Sequence, residues 1–187
     1  MKKAYSSWNE GIFLDYLDRF EIDKSKKYAD YSKGMIPKLS IAVALAHDSR
    51  LLIMDEPSSG LDLPSRDAVI NIITDFTRDE DHSVIISSHS MRDLSQICDY
   101  IVYVKDGKLI FCEEKDLLCE KYSVLQCSLN DLKTLDNNAV IGVINQNTFN
   151  VTVIIKKDAA PSGMYIEPAS LHDIMLCIEK EEEKIIC

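Results

Sequence analysis

The stretch that decides the fold is Leu51–Pro57, LLIMDEP, an apolar run that ends on two adjacent carboxylates, Asp55 and Glu56. A second apolar run, Val84 to Ser88, ends on His89. The first run is continuous enough to predict a strand buried on both faces. Because helical sequence separates the two runs, we expect the strands to pair in parallel and their carboxyl ends to meet at one edge of a sheet.

The segments around these strands predict an α/β core. The middle of the chain has the order strand, helix, strand, helix and hairpin. The hairpin is predicted by the Asp106-Gly107 pair, which lies between two β-rich runs. The helices are expected before the first strand, with Pro37 in the first turn, between the strands from near Pro64 to about Arg78, and after the second strand from about Arg92 to Cys98.

The sequence pattern changes after residue 119. Short β-rich runs separated by Asn-rich turns predict a small α+β appendage over residues 120–187. A terminal helix is expected over Ala169–Lys180, with Ser170 as its cap and Asp173 three residues further on. The predicted domains are therefore a core domain over residues 1–119 and an appendage over residues 120–187.

Composition excludes several classes of function. A hydrophobic content of 46% suffices for a buried core, and a net charge of −10 disfavours direct binding to nucleic acid or anionic lipid. The six cysteines form no CxxC pair and have no histidine at a spacing typical of metal ligands, which favours free cysteines in a reducing cytoplasm. No apolar segment reaches the ~18 residues of a membrane span.

The residues at the predicted sheet edge favour nucleotide hydrolysis. A magnesium ion on nucleotide phosphates takes hard oxygen ligands such as Asp55, and a neighbouring carboxylate such as Glu56 can orient or deprotonate the attacking water. His89 is placed to contact the terminal phosphate. Taken singly, a carboxylate pair after a strand is more often the start of a solvated loop, and a lone histidine is more often structural.

Four segments in sequence order resemble motifs of the ATP-binding subunit of ATP-binding cassette (ABC) transporters. Tyr31–Met35, YSKGM, is similar to the signature motif, which is usually LSGGQ. Leu51–Glu56 looks like the Walker B strand with its catalytic glutamate, and Ser58–Asp62, SSGLD, looks like the loop that crosses the dimer interface. His89 falls where the switch histidine of that family lies. The resemblance implies a partial P-loop NTPase core.

The resemblance also implies roles and cofactors, namely ATP and Mg²⁺. Asp55 would hold the magnesium shell, Glu56 would be the general base for water, and His89 would contact the γ-phosphate. Asp62 would communicate between the two halves of a dimer.

The signature segment would face the nucleotide of a partner subunit. Ser32 and Gly34 retain the centre of the motif, and Lys33 adds a positive charge that suits phosphate while removing the backbone freedom of a glycine. Met35 replaces a glutamine and removes a polar contact. We therefore expect retuned contact with the partner's nucleotide.

The phosphate-binding loop GxxxxGK(S/T) is missing from the 187 residues, since the one Gly-Lys pair, Gly107-Lys108, lies in the predicted hairpin. In the family this loop lies upstream of the signature motif. Because the loop's lysine and backbone N–H groups supply most of the phosphate affinity, we do not expect this polypeptide alone to bind or hydrolyse ATP appreciably.

Two interpretations remain open, with a smaller third. In the first, the chain is the C-terminal portion of a bacterial transporter ATPase of the exporter type, with separate membrane subunits. In the second, it is a binding module that docks on an intact ABC ATPase and offers Ser32–Gly34 in trans. Non-transport ABC ATPases are the third, disfavoured by the acidic charge and the lack of coiled-coil insertions. The implied partners are a second ATPase subunit and transmembrane permease subunits, at the cytoplasmic face of the membrane, without nucleic acid.

Overall fold

The computed structural model describes residues 5–161 and 163–185, with side chains described up to residue 180. The chain divides into two compact units, Met1–Ile97 and Cys98–Cys187. The domain boundary expected between residues 119 and 120 stays a prediction. Each unit has its own strand pairing and its own apolar core.

The first unit alternates helices and two parallel strands, as the sequence predicts. Its elements are α1 (Glu10–Arg19), a short 3₁₀ turn (Tyr28–Asp30), α2 (Met35–Leu45), β1 (Leu51–Asp55), α3 (Leu63–Phe76), β2 (Ser83–Ser87) and α4 (Met91–Ile97). Strands β1 and β2 pair in parallel from Leu51 opposite Ser83 to Asp55 opposite Ser87. The expected order and the parallel pairing are confirmed.

Local chemistry sets the ends of the helices in this unit. Helix α1 begins after Asn9, whose side chain accepts a hydrogen bond from the Ile12 N–H at 3.1 Å. Helix α3 begins after Asp62, whose carboxylate accepts from the Ser65 N–H at 2.9 Å. Both are N-caps that satisfy amide groups left free in a first helical turn.

The core of the first unit covers one face of the two-stranded sheet. Leu52 is 3% exposed and packs in a cluster with buried residues of the helices and of the segment after α1, namely Leu17, Phe20, Ile22, Ile41, Ala42, Leu45, Val69, Ile72 and Ile73. On the other face Leu51, Ile53 and Ile85 are exposed, with Ile53 at 74%. The expectation that β1 is buried on both faces is therefore wrong. Among the described residues the helices of this unit cover one side only.

The second unit is an α+β structure built on antiparallel pairs. Its elements are β3 (Tyr100–Lys105), β4 (Lys108–Glu114), α5 (Lys115–Glu120), β5 (Tyr122–Ser128), α6 (Leu129–Leu132), β6 (Val140–Gln146), β7 (Asn150–Lys156), a 3₁₀ turn (Lys157–Ala159), β8 (Ile166–Pro168) and α7 (Leu171–Ile185). Strands β3 and β4 form a hairpin, and the other four form a sheet in the order β6-β7-β5-β8.

The turn and the cap predicted for this unit are both present. Asp106 and Gly107 have φ angles of 49° and 71°, the left-handed values that a two-residue hairpin turn requires. The Ser170 hydroxyl donates to the Asp173 carboxylate and accepts from the Asp173 N–H, so Ser170 caps α7.

Candidate active site

The carboxyl ends of β1 and β2 bring Asp55 and Ser87 together. Each is the last residue of its strand, and the parallel register places them opposite each other. The Ser87 hydroxyl donates a hydrogen bond to the Asp55 carboxylate. The Glu56 N–H donates to the Ser87 carbonyl at 3.1 Å and to the Ser87 hydroxyl oxygen at 3.2 Å. One serine thus orients both consecutive acidic residues.

Glu56 and His89 approach each other at the same edge. His89 Nε2 lies 3.4 Å from Glu56 Oε1, and the His89 side chain is 99% exposed. Glu56 has a φ of 47°, which is the left-handed region and uncommon for a residue with a side chain. Such backbone strain occurs often at functional sites. The site presents a carboxylate and an imidazole at the ends of the two strands, and such a carboxylate can take a proton from water.

The loop after Glu56 is partly buried and leads into α3. Ser58 is buried, and its hydroxyl donates to the Asp93 carboxylate at 2.6 Å. Asp62 caps α3, and the hydrogen bonds from Ser65 lower the pKa of the Asp62 carboxyl. The predicted role of Asp62 in communication between two halves of a dimer stays a prediction.

The signature-like segment makes no polar contact with Asp55, Glu56 or His89 among the described residues. Ser32 and Lys33 are exposed, and in the part of the chain that the structure describes no hydrogen bond or ion pair joins either one to Asp55, Glu56 or His89. Gly34 precedes α2 with a φ of −77°, which any residue can adopt. Lys33 has no positive φ either, so replacing a glycine there costs no backbone strain in this conformation.

Two residues of this region escaped the sequence-based prediction, Ser87 and Asp93. Both act on partners more than 30 positions away in sequence, Ser87 on Asp55 and Asp93 on Ser58. The run of serines around His89, Ser87-Ser88-His89-Ser90, is the one signal that could have pointed to hydroxyl contacts there.

The residues present suit magnesium better than they suit a nucleotide. Mg²⁺ is commonly bound by one or two carboxylates together with substrate phosphates and water, and Asp55 supplies such a carboxylate. Among the side chains described in residues 5–161 and 163–180, no group of three His, Cys, Asp or Glu residues is placed to hold a metal ion. Asp55 and Glu56 are both negatively charged, so in the absence of a metal ion they would repel the phosphates of a nucleotide.

No helix within the described ranges has both the length and the apolar character needed to cross a bilayer.

A family model described as "AAA domain, putative AbiEii toxin, Type IV TA system" matches residues 9–92, less than half of the chain.

Among curated proteins, the chain is 27% identical over 158 residues to the ABC transporter ATP-binding protein YtrB of Bacillus subtilis, covering 84% of this chain and 54% of YtrB. It is 28% identical to the uncharacterized ABC transporter ATP-binding protein MJ1023 of Methanocaldococcus jannaschii, covering 87% of this chain and 60% of the relative. The bacitracin transport ATP-binding protein BcrA of Enterococcus faecalis is 35% identical, covering 47% of this chain and 29% of its own length. The chain therefore spans about half the length of the first two relatives.

Two solved structures have a similar fold. The dimeric structure of MJ0796, a bacterial ABC transporter cassette, matches with a TM-score of 0.51 and 21% identity over 56% of this chain and 46% of the cassette. The post-hydrolysis dimer of MJ0796 bound to ADP and Pi matches with a TM-score of 0.50 and 22% identity over 54% and 44% of the two chains. The homologues of this chain are thus ABC transporter ATP-binding proteins, and the part of it that these cassettes cover has the fold of an ABC ATPase.

Proposed function

We propose that this chain carries the hydrolytic edge of an ATP-binding subunit of a bacterial ABC transporter, of the exporter type. The observation that supports this is the placement of Asp55, Glu56 and His89 at the carboxyl ends of two parallel strands, with Glu56 and His89 3.4 Å apart. Asp55 would hold Mg²⁺, which would neutralise charge on the phosphates of ATP. Glu56 takes the proton of the attacking water, and His89 hydrogen-bonds the γ-phosphate.

These 187 residues would contribute little of the affinity for the triphosphate. No GxxxxGK(S/T) loop occurs in the sequence, and Asp55 and Glu56 place negative charge where the phosphates would lie. The described edge therefore supplies the metal ligand and the base but little phosphate affinity. In this proposal the chain is a part of the catalytic cassette and needs a phosphate-loop segment to hydrolyse ATP.

A second candidate is a binding module without catalysis of its own. Ser32 and Lys33 are exposed, and among the described residues neither has a hydrogen bond or ion pair to Asp55, Glu56 or His89. The signature-like segment is therefore available to a nucleotide on another subunit. In that role the chain docks on an intact ABC ATPase subunit and contacts its nucleotide with Ser32, Lys33 and Gly34.

The proposed partners follow from the same family. They are a second ABC ATPase subunit, which would form a dimer, and transmembrane permease subunits that hold the chain at the cytoplasmic face of the membrane. Nucleic acid is not a proposed partner, because a net charge of −10 repels a phosphate backbone.

A chimera tests the catalytic proposal. The segment of YtrB that precedes its aligned region is fused to this chain, and ATP hydrolysis is measured as phosphate release. We expect magnesium-dependent hydrolysis that Glu56→Gln reduces by about 100-fold or more, as for loss of a general base. The control is His172→Ala, an exposed histidine of the second unit, which should leave the rate unchanged. A folded chimera that hydrolyses ATP equally well with Glu56→Gln contradicts the proposal.

Binding by the 187-residue chain separates the two candidates. Calorimetry should show no saturable binding of Mg-ATP at micromolar concentration. If the chain then stimulates hydrolysis by an intact ABC ATPase subunit, and Ser32→Ala removes the stimulation while Glu56→Gln does not, the binding module is the better description. Micromolar binding of Mg-ATP by the chain alone contradicts both.

A further inference from the structure

Asp93 is a buried carboxylate that the proposed chemistry does not use. It lies in α4, is 1% exposed, and accepts a hydrogen bond from the Ser58 hydroxyl at 2.6 Å. Ser58 is 2% exposed. Burying a carboxylate costs free energy unless it is paired and hydrogen-bonded, so a side chain in this position needs its partners.

Arg66 supplies a second partner from α3. Its Nε lies 3.6 Å from Asp93 Oδ2 and has no hydrogen-bond partner although it is buried. The pair is therefore an ion pair without a hydrogen bond between these atoms. Asp93 receives one short hydrogen bond, from Ser58, and a charge from Arg66, and the two come from different segments of the chain.

Hydrogen bonds from backbone N–H groups to serine hydroxyls connect Asp93 with the segment that contains His89. The Asp93 N–H donates to the Ser90 hydroxyl oxygen at 3.3 Å, and the Ser90 N–H donates to the Ser88 hydroxyl oxygen at 3.0 Å. His89 lies between these two serines in sequence. The start of α4 and the His89 segment are thus tied together on one side of Asp93.

The loop that follows Glu56 is tied on the other side. The Ser59 N–H donates to the Glu56 carbonyl at 3.0 Å, and the Leu61 N–H donates to the Ser58 carbonyl at 3.3 Å. Ser58 is the second residue after Glu56, so holding its hydroxyl limits the freedom of the backbone at Glu56. Asp93 joins the two segments whose side chains meet at the site.

We propose that Asp93 is a positioning residue of the candidate site: its buried carboxylate holds the loop after Glu56 against the segment of His89. The two side chains thereby keep their 3.4 Å approach. Its relevance to catalysis rests on the proposed function, whereas the coupling of the two segments is a property of the chain itself. In an ATP-bound cassette this coupling would help to keep Glu56 in place, because a general base must be held within hydrogen-bond reach of its water.

Hydrogen exchange on the 187-residue chain tests the coupling. In Ser58→Ala the carboxylate loses its short hydrogen bond, and we expect amide exchange to rise about tenfold or more in both segments, 57–62 and 88–94. Exchange in α2 and in β7 should stay within about threefold of the wild type. A loss of packing alone would raise exchange throughout the first unit and would not select these two segments.

Matched variants complete the test. Asp93→Asn, which removes the charge opposite Arg66, should raise exchange in the same two segments, and the double variant should add little to either single one because the residues act as a pair. The controls are Thr74→Val, which removes a hydroxyl bonded within α3, and Asp18→Asn, which lies in an exposed ion pair with Lys24. Both controls should leave exchange in the two segments unchanged.

The outcomes are distinct. The positioning role is overturned if exchange in Ser58→Ala does not rise, rises in only one of the two segments, or rises uniformly across the first unit. If Asp93→Asn does not fold, the result for Ser58→Ala decides alone. In the YtrB chimera, Ser58→Ala should lower kcat about tenfold and leave the KM for ATP within about threefold. If the unsubstituted chimera hydrolyses no ATP, the proposed function is contradicted. The exchange measurement still tests the coupling of the two segments, because it does not depend on ATP hydrolysis.

Discussion

Ser87 connects the two acidic residues of the candidate site. Its hydroxyl donates to the Asp55 carboxylate while its oxygen accepts from the Glu56 N–H. A hydroxyl can do both because it has one donor and two acceptor positions. The orientation of the Asp55 carboxylate, the proposed metal ligand, and of the backbone at Glu56 therefore depends on one side chain of the neighbouring strand.

Replacing Ser87 by alanine should destabilise the chain slightly. The variant loses a hydrogen bond to a carboxylate at a solvent-exposed position, so we expect a decrease of about 0.5–1 kcal/mol in the free energy of unfolding, measured by urea denaturation. Ser83→Ala, at the exposed start of the same strand, is the control and should change it by less than about 0.3 kcal/mol. Equal effects of the two variants would contradict the bridging role.

His89 should matter for chemistry and not for stability. Because its ring is almost fully exposed, its pair with Glu56 is screened by water, and His89→Ala should change the free energy of unfolding by less than about 0.5 kcal/mol. His82, whose ring stacks on Phe76 with centroids 4.3 Å apart, is the contrast, and His82→Ala should cost about 1 kcal/mol. Urea denaturation of both variants measures this, and a large loss in His89→Ala would show a structural role.

At the scale of elements, Asp62 links the loop after Glu56 to helix α3. The hydrogen bonds from Ser65 lower the pKa of the Asp62 carboxyl from its ordinary value of 3.8. A carboxyl whose pKa is lowered by folding contributes stability that is present above its unfolded pKa. That contribution is lost as the pH falls through the folded value.

Asp62 variants should therefore show a pH-dependent effect. At pH 7 we expect Asp62→Ala to unfold at a lower urea concentration than the wild type, because the cap is lost, and Asp62→Asn to retain most of the stability, because an amide oxygen still caps. Below pH 3.8 the wild type should lose its advantage over Asp62→Asn. A difference between these two proteins that does not change between pH 7 and pH 3 would contradict the charged cap.

Strand β1 offers a direct comparison of its two faces. Leu52 is 3% exposed and lies in the core, whereas the adjacent Ile53 is 74% exposed. Leu52→Ala should lower the free energy of unfolding by about 2–4 kcal/mol through lost burial and the cavity left behind. Ile53→Ala should change it by less than about 0.5 kcal/mol, again by urea denaturation. Similar losses in both would show that the second face is covered in solution.

At the scale of the whole molecule, the chain consists of two units with separate cores. The core of the second unit includes Leu125, Val151 and Val153, which are 0% exposed. Leu118 of α5 is also buried, although it precedes the domain boundary expected from the sequence. Residues 98–119 therefore contribute buried apolar surface to the second unit.

Two fragments test this division. A fragment of residues 98–187 should unfold in a single cooperative transition, because it contains all the elements of its unit. A fragment of residues 120–187, which lacks Leu118 and the hairpin, should melt at least several degrees lower. Circular dichroism during heating measures both. If the shorter fragment is as stable as the longer one, the boundary near residue 120 is the better description.

Much of the fold could be predicted because its signals are local. The hairpin follows from the need for positive φ at Asp106 and Gly107, and the start of α7 follows from a cap and its partner three residues apart. The placement of Asp55, Glu56 and His89 at one edge follows from their positions after two parallel strands. Each of these patterns lies within a few consecutive residues, where steric and hydrogen-bonding preferences decide the conformation.

The amino-acid sequence by itself determined the order of the elements from β1 to the hairpin, the Asp106-Gly107 turn, the Ser170 cap, and which acidic residues follow a strand. Only the tertiary structure decided that one face of β1 is exposed, that Ser87 bridges two carboxylates, and that Asp93 is buried against Ser58. The physical reason is distance along the chain. Burial and hydrogen bonds between residues more than 30 positions apart depend on how whole elements pack, and no periodicity or spacing encodes which side chains then meet.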